Sequence, residues 1–289
     1  NYAKSIRYLE NSSLGNVEAR YKLGVAYFET KDFDNALALF NEVKTDPDEE
    51  YAFSAAYYAG VIQYQQKNYL NAIADFKKSN GHSKYRKDLP YWLISSYQQT
   101  AQWDELLKYA EPIISTHPDL ALLVAEVQFK KGLYAKSAKS FDDYLKEHKN
   151  EAASYKKGYA LYSVDKFEEA IKAISGLLKQ DSLGQKAYYL QGLAYLKLGK
   201  KTEAAASFTQ SGALAFDASQ QEEAQFKSIS ISVDLGKWSE SLLAIERFGK
   251  TYPKSSFTAA YQSFAADAIL KLPALKPATT LIKSGIPVS

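Results

Sequence analysis

The sequence contains no cysteine and no methionine, and it has only three histidines among 289 residues. The absence of cysteine excludes disulfides, thiolate catalysis and cysteine-ligated metal sites. His82, His117 and His148 are far apart, and none has a second histidine or a carboxylate at a spacing typical of a metal site. Neither H-E-x-x-H nor G-x-S-x-G occurs. These absences predict no metal, no cofactor and no catalytic residues.

Charge of one sign is not in excess, and long apolar runs are absent. The 36 basic and 33 acidic residues give a net charge of +3 and are interspersed. A nucleic-acid-binding domain usually has a basic stripe and an isoelectric point above about 9, so we expect no nucleic-acid partner. No run of about 18 apolar residues occurs, so we expect no direct membrane insertion. Because the chain begins at Asn1 inside a predicted helix, we expect it to be a section of a longer protein.

Small residues recur in pairs at a fixed distance along the chain. A glycine is followed twelve residues later by an alanine, and four residues further by a large apolar residue, in Gly24–Ala36–Phe40, Gly60–Ala72–Phe76, Gly158–Ala170–Ile174 and Gly192–Ala204–Phe208. Two antiparallel helices approach closely only where side chains are small, so each pair predicts a helical hairpin. The large residue is expected to fill the groove between one hairpin and the next. Since glycine inside a helix costs about 0.5–1 kcal/mol relative to alanine, four in register require a packing reason.

An aromatic residue three positions before the second small residue sets the period of the repeat. The residues at this position, where the second helix is expected to begin, are Phe33, Tyr69, Trp103, Tyr134, Phe167, Lys201 and Trp238. Their spacings of 36, 34, 31, 33, 34 and 37 residues average about 34. The chain therefore resembles the tetratricopeptide-repeat family. The resemblance is clearest over residues 187–208, at Gly192, Tyr195, Gly199, Ala204 and Phe208.

The resemblance implies an all-α fold, a right-handed superhelical solenoid of antiparallel helix hairpins. We divide the chain into a repeat array over residues 1–272 and a proline-containing tail over residues 273–289. In the array, residues 1–14 match a half repeat, residues 17–256 hold seven hairpins, and residues 257–272 form a closing helix. The third and seventh hairpins are expected to pack less closely, because the small residues are replaced at Ile94, Leu106, Ile229 and Ser241; Ser137 replaces one in the fourth.

The family also implies a binding surface. In the family, the first helices of the hairpins line a concave groove. Three positions of each first helix face this groove: the one three residues before the first small residue, the one directly after it and the one four residues after it. The resulting candidate partner-binding residues are Tyr21, Phe28, Tyr57, Tyr64, Tyr91, Phe129, Tyr155, Tyr159, Tyr162, Tyr189 and Phe226. A tyrosine buries a large ring and keeps a hydroxyl for a partner's backbone. The alternative is that each ring braces neighbouring hairpins, because tyrosine at the first of these positions is the family consensus.

The function implied by the resemblance is that of a non-catalytic scaffold or adaptor, which binds a peptide or helix of a partner protein in this groove. The lysine and asparagine clamp that grips chaperone tails is absent, since its places hold Tyr21, Val25, Tyr57 and Val61. The alternative is a structural spacer, or a section of a longer solenoid that self-associates end to end. An enzyme is not expected. The stretch after Gly192 resembles a phosphate loop only faintly, because its spacing is wrong and no strand precedes it. The S-x-x-K match at Ser163 falls in a hairpin turn, and its companion motifs are absent. The lysine-rich, arginine-poor and cysteine-free composition resembles that of bacterial envelope proteins with such repeats, so we expect the periplasm or cell envelope of a bacterium rather than the cytoplasm.

Overall fold

Helices account for the regular structure of the chain. The computed structural model describes residues 2–12, 16–80, 85 and 87–272, and this part contains no strand. The proposed tail at residues 273–289 and His82 lie outside the described residues. Within the described ranges, no helix combines the length and the apolar character needed to cross a bilayer.

Sixteen α-helices follow one another along the described chain. Their bounds are α1 (Tyr2–Ser12), α2 (Val17–Glu29), α3 (Phe33–Val43), α4 (Glu49–Gln65), α5 (Tyr69–Ser79), α6 (Leu89–Gln99), α7 (Trp103–Ala110), α8 (Ala121–Lys130), α9 (Tyr134–Leu145), α10 (Glu151–Tyr162), α11 (Phe167–Ile174), α12 (Ser182–Lys197), α13 (Lys201–Ala213), α14 (Ala218–Asp234), α15 (Trp238–Thr251) and α16 (Thr258–Lys271). From α2 to α15 they form consecutive pairs, and each second helix begins at the residue that marked the repeat in the sequence. The expected all-α fold of helix hairpins is confirmed.

The chain divides into two compact units, residues 1–120 and 121–289. The first unit contains α1–α7 and the second α8–α16. Within each unit, successive helices contact one another, and so do the first helices of successive hairpins. In the third and seventh hairpins the two helices contact over a shorter stretch than in the other five, as their larger residues predicted. Ile94 and Leu106 are nevertheless fully buried in the first unit.

In four of the seven hairpins, the core is a glycine covered by a large side chain. A Cβ atom added to Gly24 would lie 2.7 Å from the ring of Phe40, and one added to Gly60 would lie 2.6 Å from the ring of Phe76. Phe40 also stacks on Tyr58 of the next hairpin, with 5.4 Å between ring centroids. The large residue therefore fills space within its own hairpin as well as between hairpins. The second unit repeats the arrangement at Gly158–Ile174 and Gly192–Phe208.

Local signals at the helix ends keep the repeats in register. Each turn has a residue with positive φ two positions before the second helix: Lys31, Lys67, Ala101, Gly132, Asp165, Gly199 and Gly236. Five first helices follow a residue whose side chain accepts a hydrogen bond from the backbone of the first turn: Asn16, Asp48, Asn150, Asp181 and Asp217. Such caps satisfy amide groups that a helix leaves unpaired, and they fix where it begins. The aromatic positions of the first helices are thereby held at one face.

Gly60→Ala is expected to destabilise the protein by about 1–3 kcal/mol, because overpacking of a filled core displaces its neighbours. The added methyl would lie 2.6 Å from Cε1 of Phe76, a buried ring. Gly176→Ala is the matched control, since a Cβ there meets nothing within 4 Å. We expect the control to be neutral or stabilising by up to about 1 kcal/mol. Urea unfolding of both variants measures the difference, and equal free energies of unfolding would contradict this account of the repeat.

Candidate functional site

All eleven candidate residues lie on first helices, which form what we call the first-helix face of each unit. In the first unit this face comprises α2, α4 and α6, and in the second it comprises α8, α10, α12 and α14. Tyr91 and Tyr159 are exposed, at 42% and 39%. The other nine are half-buried. Most of the candidate side chains are therefore partly exposed to solvent and partly packed against the rest of the chain.

In the first unit, a tyrosine outside the repeat packs onto this face. Tyr85 lies between α5 and α6 and is only 5% exposed. Its ring stacks on Tyr57, with 4.0 Å between centroids and an interplanar angle of 8°. Burial, reinforced by the neighbouring Tyr85, raises the pKa of Tyr21, so this hydroxyl stays neutral. Sequence reasoning missed Tyr85 because it has no place in the repeat; its signal is a single ring in the otherwise polar stretch 80–88.

A cleft of about 390 Å³ opens beside this stack. We call it the aromatic cleft, and it is lined by Phe28, Tyr57, Tyr58, Val61, Tyr85, Asp88 and Trp92. The groove positions of the repeat predicted Phe28, Tyr57 and Val61. They did not predict Tyr58, Asp88 or Trp92, whose positions follow from how α2, α4 and α6 pack together. The cleft is therefore a product of three successive first helices.

Tyr64 connects two hairpins of the first unit. Its hydroxyl lies 2.6 Å from Oγ of Ser95 on α6, a hydrogen bond across the hairpins. Its ring meets Trp92 edge-on at 5.1 Å and Tyr69 at 5.2 Å. Tyr64 therefore braces two neighbouring hairpins, which is the alternative role considered for these tyrosines in the sequence analysis.

In the second unit, two rings pack against the exposed Tyr159. Phe129 lies 5.6 Å and Tyr134 lies 6.0 Å from it, between ring centroids. Beside this cluster, Lys156 on α10 pairs with Glu126 on α8 at 2.5 Å. The second unit thus presents one exposed ring supported by two others, and a bridging ion pair, on its first-helix face.

The remaining candidates of the second unit pack mainly against their own chain. Tyr162 contacts Phe167 at 5.6 Å, and Tyr155 packs against the core that contains Ile174 and Leu177. Tyr189 lies 5.5 Å from Phe208, and burial together with a hydrogen bond to Glu223 raises the pKa of Tyr189. Phe226 is covered by two rings: Phe257 at 4.2 Å, and Phe264 of α16 at 5.8 Å. These four residues brace repeats rather than offer free rings.

A larger cavity, in the second unit, lies away from the first-helix face. It measures about 770 Å³ and lies between α9 and α11 with α10 beneath. Two of its lysines pair with its two carboxylates, Lys157 with Asp142 at 2.5 Å and Lys166 with Glu169 at 3.1 Å. Across the described ranges, no three histidine or carboxylate side chains converge in a way that could hold a metal ion. The first-helix face therefore remains the best candidate site.

Comparison with known proteins identifies the repeat. A family model described as the tetratricopeptide repeat matches residues 1–52 and 155–218, at both ends of the series of hairpins. These two segments are therefore similar to the tetratricopeptide repeat. No curated protein matches the sequence. Paired helices also occur between the two matched segments, where Ile94, Leu106 and Ser137 replace the small residues of the repeat.

One solved structure shares the fold at low sequence identity. A chain of the Naa15/Naa10 complex bound to HypK-THB superposes with a TM-score of 0.64 and 14% identity, over 99% of this chain and 44% of that one. The present chain thus spans less than half of that one. A mutant of MamA is 18% identical with a TM-score of 0.44, over 58% of this chain and 100% of that one. A tetratricopeptide repeat protein from Parabacteroides merdae is 11% identical with a TM-score of 0.43, over 88% and 98%. At these identities the likeness concerns the fold and not the site.

Tyr64→Phe is expected to destabilise this helical repeat array by about 0.5–1.5 kcal/mol, because it removes the hydrogen bond to Ser95 and keeps the ring. Tyr159→Phe is the matched control, since the described residues offer its exposed hydroxyl no hydrogen bond. The control should change stability by less than about 0.5 kcal/mol. Urea unfolding of both variants measures this. A Tyr64→Phe protein as stable as the control would contradict the bracing role.

Alkaline pH should weaken the second unit through Tyr155. Burial, with a contribution from Tyr159, raises the pKa of Tyr155 to about 12. In the unfolded chain the pKa is about 10, so between about pH 10 and 12 only the unfolded state releases this proton. Stability should be unaffected by this group below about pH 10 and should fall as pH rises toward 12. Between about pH 10 and 12, the urea midpoint of Tyr155→Phe should therefore fall less steeply with pH than that of the wild-type protein. An equally steep fall in both proteins would contradict the raised pKa of Tyr155.

Proposed function

We propose that this protein is a non-catalytic scaffold or adaptor that binds a peptide or helix of a partner protein on its first-helix face. The observation that carries the proposal is the ring surface left open there: Tyr91, Tyr159 and the aromatic cleft. Repeat arrays of this family generally mediate contacts between proteins, through the extended surfaces that stacked repeats create.

The open rings suit a peptide because each offers a large apolar area together with a polar group. An aromatic side chain can bury about 150–250 Å² in an interface, and a tyrosine hydroxyl can pair with a backbone group. Tyr91 lies 5.9 Å from His117, and Tyr159 lies among Phe129 and Tyr134. Rings held by such neighbours lose little side-chain freedom when a partner binds, which lowers the entropic cost of association.

The proposal concerns fewer residues than the repeat pattern suggested. Tyr64, Tyr155, Tyr162, Tyr189 and Phe226 support the face by packing against their own chain, so we assign them to its architecture. We assign partner contact to the exposed rings and to the aromatic cleft. The envelope location and the end-to-end association suggested by the sequence stay predictions.

The test compares the open rings with more exposed apolar residues on second helices. Tyr91→Ser with Tyr159→Ser removes the two exposed rings of the first-helix face. The matched control is Leu70→Ser with Leu243→Ser, since these leucines on α5 and α15 are 66% and 59% exposed. Because loss of a central aromatic from an interface typically costs about 1 kcal/mol or more, partner recovery should fall at least about fivefold in the tyrosine variant.

Recovery is measured by quantitative affinity capture from cells of the source organism, with circular dichroism and urea unfolding to check that both variants fold. The leucine variant should recover partners as wild type does. Undiminished recovery by a folded tyrosine variant, or an equal loss in both variants, would refute binding on this face.

A further inference from the structure

We propose that the aromatic cleft of the first unit binds a basic side chain, arginine or lysine, of the partner segment. The inference rests on the proposed function and names the chemistry of one residue in the bound segment. It combines two features: rings of the cleft that meet at different angles, and two carboxylates, Asp88 in the lining and Glu29 near Tyr58, that form no ion pair in the described part of the chain.

The walls of the cleft are rings that meet edge to face. Tyr58 lies 5.1 Å from Phe28 at an interplanar angle of 66°, and 5.7 Å from Tyr57 at 81°. Phe40 stacks on one face of Tyr58 and Tyr85 stacks on one face of Tyr57, so a guest meets the remaining faces and edges of these rings. A cation within about 6 Å of a ring centroid is attracted by the negative charge of the ring face, most strongly by tryptophan, and Trp92 lines the same cleft. The volume of about 390 Å³ accommodates one long side chain.

Asp88 supplies a carboxylate that the helix does not use. It precedes α6 as the N-cap residue, yet its side chain accepts no hydrogen bond from the helix backbone. The other aspartates at this position in the described helices all do so: Asp32, Asp48, Asp181 and Asp217. Because a capping carboxylate normally satisfies a backbone amide, the Asp88 carboxylate remains available to a ligand in the cleft it lines.

Glu29 adds a second negative charge in a position that its helix disfavours. It is the last residue of α2, where the helix dipole makes a negative charge unfavourable. Both Glu29 and Asp88 are exposed, and neither forms an ion pair in the part of the chain that the structure describes. Residues that break a local rule of stability are often found at functional sites.

The charges of the two carboxylates act on two rings of the cleft, Tyr58 and Tyr57. Burial raises the pKa of Tyr58, and the charge of Glu29 contributes to the rise. Burial likewise raises the pKa of Tyr57, with a contribution from Asp88. Lysine and arginine are absent from the described lining. A neutral apolar guest would leave both carboxylates unpaired, and an anionic guest would be repelled, so a cation is the complementary occupant.

The test titrates the full chain with two peptides that differ only in charge. Acetyl-Gly-Arg-Gly-amide is compared with the same peptide carrying citrulline, the neutral isostere of arginine. The nuclear magnetic resonance signal of the Trp92 indole reports on the cleft, and those of Trp103 and Trp238 serve as internal references. We expect the arginine peptide to shift the Trp92 signal selectively and to bind at least about threefold more tightly than the citrulline peptide.

Variants that lack the two carboxylates test whether the cleft recognises the charge of the arginine side chain or only its shape. Asp88→Asn and Glu29→Gln should each reduce the preference for arginine over citrulline, and the double variant should abolish it. Asp34→Asn is the matched control, an exposed aspartate of α3 that does not line the cleft, and it should keep the preference. Trp92→Phe with retained fold should weaken the arginine peptide more than the citrulline peptide.

Three results would overturn the inference. Equal binding of the two peptides would exclude recognition of charge, and so would an arginine preference that survives loss of both carboxylates. Binding of tetramethylammonium without binding of the arginine peptide would make the cleft a site for a small ammonium ligand. The partner-capture experiment stays separate, since it changes Tyr91 and Tyr159 outside this cleft: capture that depends on the tyrosines, with no arginine preference, would leave the proposed function standing.

Discussion

In four of the seven hairpins, the two helices approach closely at a residue without a side chain, and the stacking of these hairpins depends on that contact. At Gly24 and Gly60 the space of a single methyl group is already taken by the ring of Phe40 or Phe76. The same ring reaches the next hairpin, where Phe40 stacks on Tyr58. One contact therefore sets both the geometry within a hairpin and the spacing between hairpins. Since stacked repeats contact only their neighbours, this contact sets where each first helix presents its aromatic residues.

The aromatic residues of the first-helix face have two roles: some hold neighbouring hairpins together, and others are open to a partner. Half-buried residues such as Tyr64 and Phe226 bind the repeats to one another through ring contacts and a hydrogen bond. That packing holds the few open rings, among them Tyr159, in fixed positions. A surface built in this way is apolar and rigid at once, which suits recognition of a peptide because little freedom remains to be lost.

Tyr85 changes the character of the first unit. A side chain from the segment between two hairpins stacks on Tyr57 and completes one wall of the aromatic cleft. The regular groove positions alone would give a row of similar rings along the helices. With Tyr85, Asp88 and Trp92 added, the first unit has a cleft of distinct shape and negative charge. The part of the molecule that departs from the repeat is thus the part that can discriminate between ligands.

The sequence by itself determined the helices, their pairing and their register. The markers from Phe33 to Trp238 each begin a second helix, because small residues, turns and caps act over short distances along the chain. It also indicated which face the tyrosines share. Only the tertiary structure decided which of them are free, since Tyr155 and Tyr189 are covered by neighbours from other helices, whereas Tyr91 and Tyr159 are not. The tertiary structure also decided that Asp88 lines a cleft. The packing of α2, α4 and α6 brings together residues whose positions do not follow the repeat, so the repeat could not predict the contact.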